Sequence, residues 1–145
     1  MIAAFPEAKG LVPELRMVVV AGPRIDPASL PQHDGLEVRA YVHDLYRHLA
    51  ACDLAVVQGG LTTAMELTAN RRPFLYFPLR HHFEQNFHVR HRLERYGAGR
   101  CMDFDRDGPT EIAEAIATEI GRDVRYAPVD ADGAARAAAL IAELL

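Results

Sequence analysis

The stretch from Asp53 to Leu67 constrains the fold more than any other part of the chain, because it joins an apolar run, two glycines and a helical pattern. Leu54 to Val57 is a short apolar run of the kind that is buried on both faces of a parallel sheet. Gly59 and Gly60 permit a tight turn, and a helix is predicted from about Leu61. The sequence therefore predicts a strand, a glycine turn and a helix in direct succession.

The start of this helix is a candidate anion site. The first amides of a helix have no partner inside it, and together with the positive end of the helix dipole they attract phosphate or carboxylate. Thr62 and Thr63 add hydroxyl donors, and Glu66, about one turn further in, is placed to accept hydrogen bonds from sugar or ribose hydroxyls. The alternative is an ordinary connection between a strand and a helix, in which Gly-Gly is common.

The rest of the chain alternates in the same way between strands and helices. Strands are predicted near residues 16–23, 36–42, 54–57, 74–78 and 101–104, and helices near 43–51, 61–70, 83–96, 110–120 and 132–145. Asn70 is the predicted left-handed cap of the second helix and Thr110 the predicted N-cap of the fourth. The third helix is expected to place Phe83, Phe87, Val89, Leu93 and Tyr96 near one side.

Short connections between alternating strands and helices predict one α/β domain over residues 1–145. We expect a Rossmann-like, three-layer αβα arrangement with a parallel sheet covered on both faces. Ligands of such sheets bind beyond the carboxyl ends of the strands, and the Gly59-Gly60 turn follows one of those ends. This position favours the phosphate interpretation of the turn.

Composition limits the classes of partner. The net charge of −4 and the pI near 5.9 argue against nucleic acid as a partner. No apolar run is long enough to cross a bilayer and the first residues do not resemble a signal peptide, so a cytoplasmic protein is expected. Cys52 and Cys101 lie far apart without metal-ligand spacing, which favours free thiols, and a disulfide between them stays open as the alternative.

The region after the fourth predicted strand is rich in histidine and arginine. His81, His82, His88 and His91 fall close together, but no Asp or Cys completes a familiar ligand set, so we expect no metal site. The arginines near 90–100 either help to bind an anionic partner or form a solvated face balanced by Glu84 and Glu94. Neither a nucleophile elbow nor a lysine phosphate loop is present, and with Lys9 as the only lysine a Schiff-base mechanism has almost no candidates. No cofactor is expected.

Several of these segments together resemble a known family pattern. The residues concerned are Ala51-Cys52-Asp53, Gln58 to Glu66, Arg72 to Pro78, Glu84-Gln85, and Tyr96 to Gly99. They resemble the C-terminal, donor-binding half of GT-B glycosyltransferases, and family 28 is nearer by pattern than the wider UDP-glycosyltransferases. Two departures stand out, since many relatives carry His, Arg or Ser where this chain has Gln58, and Asn-Ala where it has Val89-Arg90.

The resemblance implies roles for particular residues. The backbone of Gly59, Gly60, Leu61, Thr62 and Thr63 would hold the diphosphate of a nucleoside-diphosphate sugar, with UDP-sugar expected. Glu66 would bind the ribose hydroxyls. Gln85, with Glu84 beside it, would contact the sugar, and the backbone of Val42 would contact the edge of the base. The resemblance assigns no catalytic residue to this chain, because the base of such enzymes is expected in the other half.

The resemblance also implies an incomplete enzyme. One domain of 145 residues would be half of a GT-B fold and would lack the N-terminal acceptor domain. The acceptor domain would then be supplied either in cis or in trans. The sequence thus predicts the donor-binding half of a hexosyltransferase. A non-catalytic nucleotide-sugar-binding or regulatory module and a relative of sugar-nucleotide 2-epimerases are the alternatives.

Overall fold

The computed structural model describes residues 1–144, in which strands and helices alternate along the chain. The strands are β1 (Met17–Val20), β2 (Leu36–Arg39), β3 (Ala55–Gln58), β4 (Phe74–Phe77) and β5 (Arg100–Cys101). The α-helices are α1 (Phe5–Leu11), α2 (Leu45–Ala51), α3 (Leu61–Ala69), α4 (Arg90–Tyr96), α5 (Pro109–Glu119) and α6 (Gly133–Ala142). Short 3₁₀ turns cover Ile2–Ala4 and Pro27–Ser29, and a π-helical segment covers Glu84–Val89.

All strand pairs are parallel, as predicted, but the sheet is divided into two parts. β1 pairs with β2, and β4 lies between β3 and β5. The registers place Met17 opposite Leu36, Ala55 opposite Phe74 and Tyr76 opposite Cys101. Both parts nevertheless contribute side chains to the same apolar cluster.

Alternation of side chains along β4 divides the interior into two cores. Leu75 and Phe77 belong to the first core, which α1 and α5 cover and which also receives residues of β1 and β2. Phe74 and Tyr76 face the second core, where they meet buried residues of α3 and α4. Because successive strand residues point to opposite faces, a fully buried strand such as β4 must be covered on both sides.

The helix predicted to begin at Phe83 is a π-helix in its first part and an α-helix only in its second part. Its segment Glu84–Val89 is π-helical, and α4 continues it from Arg90. The prediction that Phe83 and Phe87 lie on the same side as Val89 and Leu93 is wrong, since the two phenylalanines are 65% and 63% exposed while Val89 and Leu93 are buried. A π turn contains more residues than an α turn, and it therefore shifts the phase between the two ends of the helix.

Several predicted boundaries are also wrong. The second strand ends at Arg39, and the last one ends at Cys101 rather than Phe104. Gly108, not Thr110, is the N-cap of α5, because Pro109 with its fixed φ begins the helix. After α3 the left-handed residue is Arg71, with a φ of 50°, whereas Asn70 donates from its side-chain amide to the Glu66 carbonyl at 2.8 Å.

The last predicted helix is shorter than expected and packs loosely. α6 ends at Ala142, every one of its residues is exposed, and Leu145 lies outside the described residues. None of the helices in residues 1–144 is both long and apolar enough to cross a membrane.

Candidate functional site

The turn at Gly59 and Gly60 links β3 to α3 at the position predicted from the sequence. The Gly59 amide donates to the Phe77 carbonyl of β4 at 3.2 Å, which extends the ladder by one residue. The first helical hydrogen bond of α3 runs from the Ala64 amide to the Gly60 carbonyl at 3.1 Å. No side chain caps this helix, so its first amides point out of the N-terminus without a helical partner.

The two glycines have different surroundings. A Cβ on Gly59 would lie 3.2 Å from the Pro78 Cα and 3.5 Å from the Gln85 Oε1. Around a Cβ on Gly60 there is no atom within 4 Å, and its backbone is ordinary extended chain with a φ of −75°. Close packing therefore accounts for a glycine at 59, whereas the space beside Gly60 is open.

Three polar side chains of α3 lie near this open space. Thr62 is exposed, and Thr63 and Glu66 are half-buried. Among the hydrogen bonds and ion pairs of residues 1–144, none involves the two hydroxyls or the Glu66 carboxylate. Because Glu66 follows Thr63 by three residues, the two side chains share a face of the helix. They are thus free to bind a polar ligand at the helix N-terminus.

Gln85 lies next to this turn but is already engaged by its carbonyl oxygen. Its side chain is 8% exposed, and its Oε1 accepts a hydrogen bond from the Leu79 amide at 2.9 Å. The remaining donor group of Gln85 is its Nε2. The π-helical segment brings Gln85 inward, to the side of Gly59, while the neighbouring Glu84 is exposed.

Asn86 holds the loop that Gln85 contacts, a role that was not predicted from the sequence. Its Nδ2 donates to the Leu79 carbonyl at 2.6 Å and to the His82 carbonyl at 3.0 Å. The backbone of Leu79 is therefore held at two points, at its amide by Gln85 and at its carbonyl by Asn86. The one local signal for this role is an amide side chain directly after Gln85, a few residues beyond a loop whose backbone groups need partners.

Val42 lies in the loop that follows β2. Its side chain is 7% exposed, and the nearby Asp44 adopts a left-handed conformation with a φ of 49°. No hydrogen bond within residues 1–144 uses the backbone groups of Val42. The loop thus presents unpaired backbone groups beyond the carboxyl end of β2, at a position compatible with the role that the resemblance assigns to Val42.

The histidine and arginine region remains on the surface. His81, His82, His88 and His91 are exposed, and within residues 1–144 no three His, Cys, Asp or Glu side chains are grouped closely enough to hold a metal ion. Arg90 pairs with Glu94 at 3.1 Å, which agrees with the interpretation of a balanced, solvated face. Arg80, at the end of the loop after β4, pairs instead with Asp105 at 3.1 Å.

These features define the class of the protein first. Parallel strands, helices on both faces and an open helix N-terminus at the carboxyl edge define a Rossmann-like α/β domain with a candidate anion site. The chain belongs to the glycosyltransferase family 28 C-terminal domain family, whose model matches residues 5–145. The family predicted from the sequence is therefore confirmed.

Individual relatives agree with this assignment. An uncharacterized glycosyltransferase of Methanosarcina mazei is 31% identical over 121 residues, which are 83% of this chain and 31% of that protein. The UDP-N-acetylglucosamine--N-acetylmuramyl-(pentapeptide) pyrophosphoryl-undecaprenol N-acetylglucosamine transferase of Anaeromyxobacter dehalogenans is 32% identical over 102 residues, 70% of this chain and 26% of that protein. The chain thus spans about a third or less of these relatives.

A solved structure supports the fold. The crystal structure of the glycotransferase of kitacinnamycin superposes with a TM-score of 0.63 at 21% identity, and it covers 83% of this chain and 30% of that one. The likeness concerns the fold alone, and it confirms the predicted class, a Rossmann-like half of a GT-B fold.

Proposed function

We propose that this chain is the donor-binding half of a glycosyltransferase that takes a hexose or N-acetylhexosamine from a nucleoside-diphosphate sugar, with UDP-sugar as the donor. The observation that carries the proposal is the open N-terminus of α3 beside Gly60, with the unpaired Glu66 carboxylate one turn inside it. A family relative named as a UDP-N-acetylglucosamine transferase supports UDP as the nucleotide.

The proposed chemistry follows from the helix terminus. When the bond between the anomeric carbon and the diphosphate breaks, the electron pair stays on the departing diphosphate. The first amides of α3 and the hydroxyls of Thr62 and Thr63 stabilise that charge with donors that are already in place. Glu66 binds the ribose hydroxyls, and the Val42 backbone contacts the base.

Gln85 is proposed to bind the sugar through its Nε2, because its Oε1 already accepts the Leu79 amide. Glu84, which is exposed next to it, is the second candidate for a sugar contact. Transfer also needs an acceptor-binding half with the catalytic base, which we propose acts together with this domain, in cis or in trans.

Isothermal titration with UDP, UDP-glucose and UDP-N-acetylglucosamine tests the proposal, with ADP and GDP as tests of the base. We expect Glu66→Ala to weaken UDP binding about tenfold, because charged hydrogen bonds to the ribose contribute roughly 1.5–3 kcal/mol. Glu114→Ala is the matched control, since it removes the same charge from an exposed position on α5. Folded protein that binds none of the three uridine ligands would overturn the proposal.

A further inference from the structure

Two strands that pack on the same core each have a free backbone edge. Within residues 1–144, β1 pairs only with β2 on one side, and β3 pairs only with β4. Met17 and Val19 of β1 nevertheless pack on the same apolar core as Val56 of β3 and the preceding Leu54. The two parts of the sheet therefore share a core, although no backbone hydrogen bond in the described chain joins β1 to β3.

The hydrogen bonds identify the backbone groups on the free edge of β1. The Met17 and Ala21 amides donate to backbone carbonyls of the β2 segment at 2.9 and 2.8 Å. Backbone groups of successive residues point to opposite edges of a strand, so the amides of Val18 and Val20 point away from β2. Within residues 1–144 neither of these two amides donates to another backbone group.

The same reasoning applies to β3 on the other part of the sheet. The Ala55 and Gly59 amides donate to the β4 segment at 3.1 and 3.2 Å, so the Val56 amide points away from β4. For L-residues, the face that a side chain occupies and the direction of the strand together fix the edge to which its amide points. On the shared core, Val19 has its amide toward β2 whereas Val56 has its amide away from β4. In a Rossmann-like sheet, whose strands are parallel, this difference turns the two free edges toward each other.

The composition of β1 is that of an interior strand. Its residues Met17–Val20 form an uninterrupted apolar run of the kind that is covered on both faces, yet Val18 and Val20 are 53% and 41% exposed. The outer strands differ, because β2 carries the ion pair of Glu37 with Arg39 and β5 carries Arg100. Charges of this kind protect the edge of a sheet, whereas β1 and β3 contain neither a charge nor a proline.

The order of the strands also indicates a place between β1 and β3. In a doubly wound sheet one strand lies in the middle, with two strands on one side of it and three on the other. The pair β1–β2 and the group β3–β4–β5 correspond to those two sides. The middle position of this order is unfilled within residues 1–144.

We propose that the free edges of β1 and β3 together bind one further strand, parallel to both, which is contributed by the polypeptide that carries the acceptor-binding half. Backbone hydrogen bonds to both edges would hold this strand, and its side chains would be apolar on both faces. The identity of the partner rests on the proposed function. The relatives are about three times as long as this chain, so their remaining sequence can supply a strand. Parallel neighbours end at the same edge of a sheet, so the inserted strand would end beside the turn at Gly59 and Gly60.

Hydrogen exchange followed by NMR on the full chain tests the free edges. We expect the amides of Val18, Val20 and Val56 to exchange about a hundredfold faster than those of Val19 and Val57, which face paired strands. The probe is a synthetic peptide of about eight residues, made of valine and isoleucine with lysine at both ends. It should protect the three fast amides and leave the other two almost unchanged. Fast amides that the peptide does not protect would overturn the proposal, as would three amides that are already protected in the monomer.

N-methylation of the peptide distinguishes insertion from addition to a single edge. One peptide is N-methylated at alternate residues on one edge, and a second is N-methylated on the other edge, so each can pair with only one strand. We expect both modified peptides to bind at least about tenfold more weakly than the parent, because insertion uses both edges. A modified peptide that binds as tightly as the parent would overturn insertion between β1 and β3.

A pair of proline variants tests the same edge from the protein side. Val18→Pro removes an amide of the free edge, whereas Val19→Pro removes one that faces β2. We expect Val18→Pro to remain folded and to bind the peptide at least about tenfold more weakly, and Val19→Pro to unfold at lower urea concentration. A folded Val18→Pro protein with the original peptide affinity would overturn the proposal, and if this variant does not fold, the N-methylated peptides decide.

The source of the strand is tested with overlapping peptides from the part of the Methanosarcina mazei relative that lies outside the matched segment. We expect one apolar peptide to protect the amides of Val18, Val20 and Val56. Protection by none of them, or protection that arises from a dimer of this chain, would overturn the proposed partner. Titration with UDP is a separate measurement. A chain that takes up the strand but binds no UDP would contradict only the proposed function, and a chain that binds UDP but no strand would contradict only this inference.

Discussion

Gly59 and Gly60 are neighbours in the sequence, but they are glycines for different physical reasons. The backbone of Pro78 comes so close to Gly59 that a Cβ there would be compressed to 3.2 Å. Gly60 has an unstrained backbone and empty space beside it, so neither its backbone conformation nor its contacts within the protein require a glycine. A ligand that approaches the helix N-terminus would need this space, which is why the distinction matters for the proposed donor site.

This difference makes a matched pair of substitutions informative. We expect Gly59→Ala to lower the free energy of unfolding by about 1–3 kcal/mol, because Pro78 backbone must move. Gly60→Ala should change stability by less than about 1 kcal/mol, yet weaken UDP binding severalfold because the methyl group occupies the open space. Chemical denaturation and titration with UDP measure both effects. A Gly60→Ala protein with unchanged UDP affinity would contradict the proposed position of the diphosphate.

The π-helical segment Glu84–Val89 determines which of its side chains lie beside the proposed donor site. It buries Gln85 and Val89 and leaves Phe83 and Phe87 exposed, with their rings stacked at 4.8 Å. Gln85 then accepts a hydrogen bond from the Leu79 amide, and Asn86 donates one to the Leu79 carbonyl. The segment thus ties the loop after β4 to the helix that carries the proposed sugar contact.

Removing Asn86 should loosen this loop without dismantling the domain. We expect Asn86→Ala to lower the free energy of unfolding by about 1 kcal/mol, since the Leu79 and His82 carbonyls each lose one donor and keep only a backbone amide. It should also weaken the binding of UDP-N-acetylglucosamine more than that of UDP, because Asn86 no longer holds the Leu79 backbone to which Gln85 is hydrogen-bonded. Gln32→Ala is the control, for it removes an amide that binds the Leu30 and Pro27 carbonyls in another loop. The ratio of the two affinities must stay constant in the control and change in Asn86→Ala.

Strand β4 is the most deeply buried strand and should be the most sensitive to truncation. Leu75 is completely buried, whereas Val20 on β1 is 41% exposed. We expect Leu75→Ala to lower the free energy of unfolding by about 2–5 kcal/mol and Val20→Ala to lower it by less than about 1 kcal/mol, as measured by denaturant unfolding. Equal costs would mean that the two parts of the sheet contribute equally to the core.

For the molecule as a whole, packing changes abruptly after Ala127. The chain is anchored there by the Ala127 amide on the Tyr96 carbonyl at 2.9 Å and by the Tyr126 hydroxyl on the Arg72 carbonyl at 3.2 Å. Beyond this anchor, α6 is exposed on all sides although it carries Leu140 and Ile141. A ten-residue helix that buries none of its residues is marginal in water, so α6 is expected to contribute little to the stability of the domain.

Two truncations test this division. Ending the chain after Val129 should leave the midpoint of thermal unfolding within about 2 °C of the original, because none of residues 130–144 is buried. Ending it after Arg122 removes the buried Val124 and also Tyr126, which packs against the second core, and should lower the free energy of unfolding by roughly 3–5 kcal/mol. A large loss from the shorter deletion would show that α6 packs on the domain in solution.

Local patterns in the sequence determined much of this protein. The apolar run before Gly59, the helix after it and the alternation of elements are local features, and they sufficed for the α/β class and the position of the turn. Gly97 as the left-handed end of α4 was predictable for the same reason, since its φ of 61° favours glycine. The family resemblance, confirmed over residues 5–145, came from residue types at matching spacing.

Only the tertiary structure decided how distant segments meet. The division of the sheet, the π turn that exposes Phe83, and the contact of Pro78 with Gly59 depend on packing between residues far apart in the chain. The same holds for the pairing of Tyr76 with Cys101, because the register between β4 and β5 brings them opposite each other. Periodicity specifies which face of an element is apolar, whereas the partner of that face is set by the fit of all the faces together.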